Sequence, residues 1–350
     1  MPAPAKPVAK VDDPSSLGGK EMYAALCAPC HGKALEGYVA DHAPSLIVPT
    51  FLESASDDFL SRSIATGRAG TSMAAYSKRM GGPLDDAAIK RLVTFIRERG
   101  NIPPKPDDAV KLGDATKGAA LYDSTCKICH GDQKTRGEAV MLANTSFLSE
   151  VSDAFLHHAI VNGRAGTKME PFKGKLDEGQ IGDVIAYIRS FIGTTTTPVA
   201  EARLPAPTGK EPLVIFPKGK EPDWKLKEDR FVSDDVVKKA YDEKRAFIII
   251  DARPPSEWMR EHIAGAVSIP YHDMTRLAEI PKDTWVITYC ACPHHLSGIV
   301  LDALRAAGHT KSAILDEGIN DWFRKGYPMT TAPGVEKPPA EPVAPPGQIR

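Results

Sequence analysis

The chain has 350 residues, with 44 Lys+Arg set against 45 Asp+Glu and only 7% aromatic residues. At roughly 150 residues per domain that length predicts two or three domains. Near-zero net charge excludes the electrostatic footprint of a nucleic-acid binder or a polybasic membrane surface. No apolar run reaches the ~18 residues of a membrane span, so no transmembrane helix is read.

Proline marks the joints. Residues 1–16 carry four prolines and read as a disordered leader. A short linker is expected over 101–108 and a longer one over 193–223, with six prolines, and a proline-rich tail over 332–350. They separate three blocks, at 17–100, 109–192 and 224–331. Met1 is followed by Pro-Ala-Pro, without the basic start and apolar stretch of a signal peptide. A cytoplasmic chain, or a mature exported chain whose signal has been removed, both fit that start.

Blocks one and two repeat each other. Cys27-Ala-Pro-Cys30-His31 is matched by Cys126-Lys-Ile-Cys129-His130. Gly67-Arg-Ala-Gly-Thr71 recurs as Gly163-Arg-Ala-Gly-Thr167, each followed two residues on by a methionine, Met73 and Met169. Each block closes on a helical pattern: Ile89, Leu92, Val93 and Ile96, then Ile181, Val184, Ile185 and Ile188, fall at i, i+3, i+4 and i+7.

Cys-x-x-Cys-His is the attachment signature of c-type haem, in which two thioethers hold the porphyrin edge and the histidine meets iron. Two copies predict two covalently attached haem c groups. A zinc site needs two further ligands, and neither block has another cysteine. A redox Cys-x-x-Cys needs a βαβ setting, and these blocks read as helical. The duplicated methionines are the expected second axial ligands, since a thioether suits iron and raises its potential. The iron ligands are therefore expected to be His31, Met73, His130 and Met169. His42, His157 and His158 are rivals without duplicates, and Met80 reads as packing.

With these residues in hand, blocks one and two resemble class I cytochrome c domains of the short bacterial type, over about 170 residues. The resemblance implies two all-α domains, His/Met ligation and electron transfer through a partly exposed haem edge. It also implies export, because haem c is attached outside the bacterial cytoplasm, and redox protein partners such as other cytochromes or an oxidase. In this family a proline carbonyl after the haem segment holds the axial histidine. Ala43-Pro44-Ser45-Leu46 fits, but block two has Ala139-Val140-Met141-Leu142. That contact is expected to be lost there and the two potentials to differ.

Block three has another grammar. Apolar runs end in Asp251 and in Cys290, a third covers 313–315, and helical stretches lie between. This alternation predicts an α/β domain with a mostly parallel sheet, its functional residues outside the carboxyl ends of the strands. Cys290 follows a strand, on a loop leading into a helix. Backbone N–H groups at a helix start favour a thiolate there.

Block three resembles the rhodanese (sulfurtransferase) family over about 100 residues. The resemblance rests on Ile250-Asp-Ala-Arg253, Glu261-His-Ile-Ala-Gly-Ala266, Tyr289-Cys290 and Leu315-Asp-Glu-Gly-Ile-Asn-Asp-Trp322. It implies a persulfide role for Cys290, supporting roles for Asp251 and Arg253, a packing role for Trp322, and a small sulfur compound as substrate. The active loop lacks the family's usual arginine and offers His294 and His295 instead. Cys292 could resolve a Cys290 persulfide, form a disulfide with Cys290, or join the two histidines around a soft metal. The whole chain thus reads as a dihaem cytochrome c fused to a rhodanese-like domain. Its expected function is electron transfer coupled to sulfane-sulfur chemistry at Cys290. The alternative is an electron carrier whose third block is a docking, sensing or metal-binding module, so enzymatic turnover is left open.

Overall fold

A computed structural model describes residues 13–40, 43–135, 137–192, 207–291 and 294–332. His42 and Cys292 lie outside these described residues.

Blocks one and two are helical and alike. Block one starts with a helical run, Gly19–Met22, Tyr23–Cys27 and Ala28–His31, whose middle part is a wide π-type turn. Pro49–Ser54 and Asp57–Thr66 follow, and Asp86–Gly100 closes the block. Block two repeats the order with Ala115–Thr125, Lys127–His130, Thr145–Glu150, Asp153–Asn162 and Glu178–Ser190. Each closing helix starts from an aspartate cap: Asp85 accepts from the Ala88 N–H and Asp177 from the Gln180 N–H. The apolar stripes face inward as the period requires; Leu92 and Ile185 are 0% exposed. Truncating such a residue to alanine costs about 2–5 kcal/mol. First and last helices cross closely in each block. A Cβ on Gly19 would sit 2.6 Å from the Arg91 carbonyl, and Gly118 occupies the matching crossing beside Asp183. The two blocks share one continuous hydrophobic core.

Block three is a sheet flanked by helices. Its strands are β1 (Val214–Ile215), β2 (Phe231–Val232), β3 (Phe247–Asp251), β4 (His262–Ile263), β5 (Val267–Ser268), β6 (Val286–Tyr289), β7 (Ser312–Leu315) and β8 (Met329–Thr330). The main sheet runs β1-β3-β6-β7-β2, with β5 also on β3. All its pairings are parallel except β1 with β3. β3, β6 and β7 are buried along their whole length, as expected of central strands covered on both faces. The two faces carry separate cores.

The described parts of the leader and joints, residues 13–16, 101–108 and 207–223, are tied to the blocks beside them. Pro14–Ser16, at the end of the expected leader, turns back on block one, where the Ser15 hydroxyl donates to the Pro83 carbonyl at 3.0 Å. In the short joint, the Lys105 N–H donates to the Glu53 carbonyl at 2.7 Å. In the longer one, Val214 and Ile215 pair with Ile248 and Phe247 as the antiparallel edge of the sheet. Backbone N–H groups beside a sheet edge gain partners by joining it, and composition alone does not register that gain. Among the described residues no helix is long and apolar enough to cross a membrane.

Candidate functional site

The two attachment segments are built by the same local rules. Each first helix ends in the Cys-x-x-Cys-His run and stops at a positive-φ glycine, Gly32 or Gly131. A tyrosine one turn earlier ties that stop down: the Tyr23 hydroxyl donates to the Gly32 carbonyl at 2.7 Å, and Tyr122 to Gly131 at 2.9 Å. His31 Nδ1 lies 2.8 Å from the Pro44 carbonyl, and His130 Nδ1 lies 2.8 Å from the Val140 carbonyl. A carbonyl only accepts, so Nδ1 carries the proton and Nε2 keeps a free lone pair. Burial lowers both histidine pKa values, favouring the neutral, ligating form. Val140 thus corrects the expectation that block two lacks this contact. The acceptor is backbone, so the proline side chain is dispensable. That contact gives no reason for the potentials to differ.

The repeated Gly-Arg-Ala-Gly-Thr sequence is a loop that presents methionine. In block one, the Arg68 N–H donates to the Met73 carbonyl at 2.7 Å, and the Thr71 hydroxyl accepts from the Met73 N–H at 3.1 Å. In block two, the equivalent bonds are Arg164 to Met169 at 2.8 Å and Met169 to Thr167 at 3.0 Å. Gly67 and Gly163 have φ of +69° and +62°, and a Cβ on Gly163 would lie 2.5 Å from the Met169 carbonyl.

All these groups meet in one cavity of about 1410 Å³, lined by Cys27, His31, Met73, Cys126, His130 and Met169 among others. One ligand pocket usually holds ~300–1,000 Å³, so the space suits two large, flat, mostly apolar groups better than one. Burial pushes the Cys27 thiol up to about 12 and the Cys126 thiol to about 11. Thiols held protonated are poor free nucleophiles and poor zinc ligands, whereas a thioether anchor carries no charge to bury. The donor set fits haem c. Met141 also lines the cavity without a counterpart in block one. Met80 is buried outside it. Of the rival histidines, His157 pairs with Glu178 at 2.8 Å and His158 lies 3.0 Å from Glu53; neither lines the cavity.

Sequence reasoning assigned no role to the repeated arginines, although their duplication was the signal. Each crosses to the other block. Arg68 meets Glu150 at 2.5 Å and stacks on Phe59 and Phe147. Arg164 stacks on Phe51 and Phe155, but the residue matching Glu150 is Ser54, whose hydroxyl accepts from it at 3.2 Å. Its other acceptors are the Thr50 and Gly163 carbonyls, at 2.8 and 3.4 Å. Burial without a carboxylate pulls the Arg164 pKa down to about 10.

In block three, Cys290 follows the carboxyl end of β6 and is 1% exposed. Its Sγ lies 3.4 Å from the Ser297 hydroxyl, in the first turn of the helix Leu296–Ala306. Asp251, 0% exposed, binds Arg253 through Nε at 3.0 Å and Nη2 at 2.7 Å, and accepts from the Tyr289 hydroxyl at 2.8 Å. Burial alone would lower the Arg253 pKa, but the Asp251 charge reverses this and raises it. Trp322 is fully buried, its indole N–H donating to the Pro328 carbonyl at 3.1 Å. His294 takes a left-handed φ of +76°, pinned by Asp316 at 2.7 Å and stacked on Phe231. His295 turns the other way, toward block one. Among the described residues no three His, Cys, Asp or Glu side chains gather as a metal site.

The arrangement that no local pattern announced is the docking of block three on block one. The Tyr271 hydroxyl donates to the Leu26 carbonyl at 2.7 Å and lies 3.0 Å from the Tyr76 hydroxyl. The Ser256 hydroxyl donates to the Ala75 carbonyl at 2.7 Å. His295 Nδ1 lies 3.8 Å from Cys30 Sγ.

Comparison with known proteins finds two families along the chain. The family model described as cytochrome c oxidase, cbb3-type, subunit III matches residues 16–96 and 113–188, and the rhodanese-like domain model matches residues 233–325. The chain is 29% identical over 185 residues to the cbb3-type cytochrome c oxidase subunit FixP of Bradyrhizobium sp. (strain ORS 278), covering 50% of this chain and 60% of that protein. It is 38% identical over 193 residues to the cbb3-type cytochrome c oxidase subunit CcoP of Azospirillum brasilense, covering 50% and 62%. It thus spans about 60% of the length of the curated relatives it matches. Among solved structures it is similar to the rhodanese-like domain of an Anabaena sp. protein, at 24% identity and a TM-score of 0.29, covering 31% of this chain and 84% of that one. The chain carries two domains of the cbb3-type cytochrome c family followed by a C-terminal rhodanese-like domain.

Proposed function

We propose that this chain moves electrons through two covalently bound haem c groups and couples them to persulfide chemistry at Cys290. The observation that carries the first half is the single cavity into which both attachment motifs and both methionine loops open. Cys27 and Cys30 would hold one porphyrin edge, with His31 and Met73 on its iron; Cys126, Cys129, His130 and Met169 would hold the other. Haem c, when bound, supplies at each site an iron that gains or loses one electron. The protein's own part is to exclude water, to fix each imidazole through the Pro44 or Val140 carbonyl, and to pin each methionine in its loop.

For the sulfur half, a Cys290 thiolate and hydrosulfide join as a persulfide. One S–S bond forms, one S–H bond breaks, and one proton and two electrons leave. Two one-electron sites match that count. The strand-end position of Cys290 beside a helix start supports a reactive thiol. Asp251 and Arg253 support the loop rather than the sulfur, since they are committed to each other. Export, and a redox protein such as an oxidase as partner, accord with haem c attachment and with the oxidase subunits among the relatives.

The test adds sulfide anaerobically to the oxidised, haem-loaded chain and follows haem reduction in wild type and Cys290→Ala. Equal rates would end the coupling idea. A second reading is favoured by the loop's lack of an arginine and by the polar contacts that seat block three on block one: that domain is a docking module without turnover. Absence of any persulfide on Cys290 by mass spectrometry, after exposure to sulfane donors, would select it.

A further inference from the structure

The two attachment edges are alike in sequence and differ in what covers them. In block one the edge is occupied. His295 reaches Cys30, and the Tyr271 and Ser256 bonds clamp block three beside it. Ser72, next to Met73, faces Arg253, Glu257, Ala291 and Leu296 across a gap of about 10 Å³. That gap is at the lower limit for a single water, so block three sits directly on block one beside this edge. In block two the same edge is bare. Ile128, between Cys126 and Cys129, is 84% exposed, whereas Pro29, its match in block one, is only partly exposed. Lys127 pairs with both Asp123 and Asp132 beside Ile128, leaving an apolar centre in a charged rim with one more acid than base.

We infer that the chain is wired in one direction: electrons pass from the Cys27/Cys30 site, which the rhodanese-like domain covers, to the Cys126/Cys129 edge, which, centred on Ile128, docks an external one-electron carrier protein. Two observations carry this. The matching surface of block one is already a protein-docking surface, filled from within the chain, so its duplicate keeps the same geometry with the partner missing. The charges also differ. Glu150 neutralises Arg68, while among the described residues Arg164 of block two has only neutral partners. Unbalanced positive charge favours the reduced state, so electrons run from block one toward block two. Each encounter passes one electron: the carrier is reduced as the chain is oxidised. The inference rests on the electron-transfer half of the proposed function and not on the sulfur half.

The test uses the full haem-loaded chain. Prereduced with ascorbate and mixed with a soluble ferric cytochrome c, Ile128→Glu transfers at least ten-fold more slowly than wild type, with its haem spectrum unaltered. Wild-type speed in that variant would overturn the docking surface. A soluble dysprosium chelate speeds EPR relaxation of the block-two haem and leaves the block-one haem unaffected; equal effects would overturn the covered edge. In Ser256→Ala/Tyr271→Phe the block-one haem becomes sensitive to the chelate. Fluorescence also rises, because all four tryptophans lie in the domain that moves away from haem. Lack of either change would refute the clamp. If sulfide fails to reduce the wild-type haems, the sulfur reading falls while these measurements stand.

Discussion

Removing the Asp251 carboxylate tests whether the rhodanese-like domain is organised around a buried charge pair. In Asp251→Ala, Arg253 keeps its charge with a side chain only 9% exposed. Three of its N–H bonds disappear, from the backbone N–H and Nε at 3.0 Å each and from Nη2 at 2.7 Å. The Tyr289 hydroxyl loses its acceptor as well. The Glu261 carbonyl, at 2.7 Å from Nη2, is a dipole, and the Glu257 carboxylate, 3.6 Å from Nη1 and shared with Arg260, replaces only part of the lost charge. Breaking one side of a buried pair costs about 3–5 kcal/mol. With a urea slope of ~2 kcal/mol/M that moves the midpoint down by roughly 1.5–2.5 M. Tryptophan fluorescence reads this domain alone, since Trp224, Trp258, Trp285 and Trp322 are the chain's four tryptophans. Asp251→Ala/Arg253→Met removes the orphaned charge and recovers at least ~1.5 kcal/mol of the single loss, as coupled residues do. A single-variant cost below about 1 kcal/mol, or a double variant worse than the single, would refute the reasoning.

Three further outcomes are expected. Gly67→Ala forces alanine into a positive-φ extended conformation nearly confined to glycine, costing about 1–3 kcal/mol, and weakens the methionine-to-iron charge-transfer band at one haem; Gly163→Ala does the same at the other, so the double variant loses both. Arg68→Leu strands Glu150, 9% exposed, and lowers thermal stability more than Arg164→Leu, which strands no acid, by about 2 kcal/mol or more; equal melting shifts would contradict the assigned charge pattern. Burial raises the Asp234 pKa to about 6, with Asp321 adding to the rise and Lys325 opposing it. A carboxyl raised in the fold contributes stability that is fully present below its ordinary value of 3.8 and is lost as pH rises through about 6. Asp234→Asn therefore flattens the dependence of the urea midpoint on pH between about 4 and 6, and an unchanged slope would count against it.

Much of this protein was legible locally. The Cys-x-x-Cys-His runs, the Gly-Arg-Ala-Gly-Thr loops and the closing stripes such as Ile89 to Ile96 are each short, and each forms by hydrogen bonds or burial within its own block. Block three was readable for the same reason: Phe247–Asp251 and Val286–Tyr289 are apolar runs that only a central parallel strand satisfies. The loss of the His130 contact was wrongly expected, because an acceptor on the backbone leaves no mark in side-chain identity.

Pairings between distant segments decided the rest. The charge difference between Arg68 and Arg164 depends on Glu150 and Ser54, which belong to the opposite block in each case. The covered and bare haem edges depend on Tyr271 meeting Tyr76 and Leu26 across more than a hundred residues of chain. Sequence alone determined which family each domain belongs to, since the family marks are held in contiguous motifs. Only the tertiary structure decided which of two nearly identical sites faces the rhodanese-like domain and which faces solvent. That choice is made by long-range contacts, whose partners have no fixed spacing along the chain.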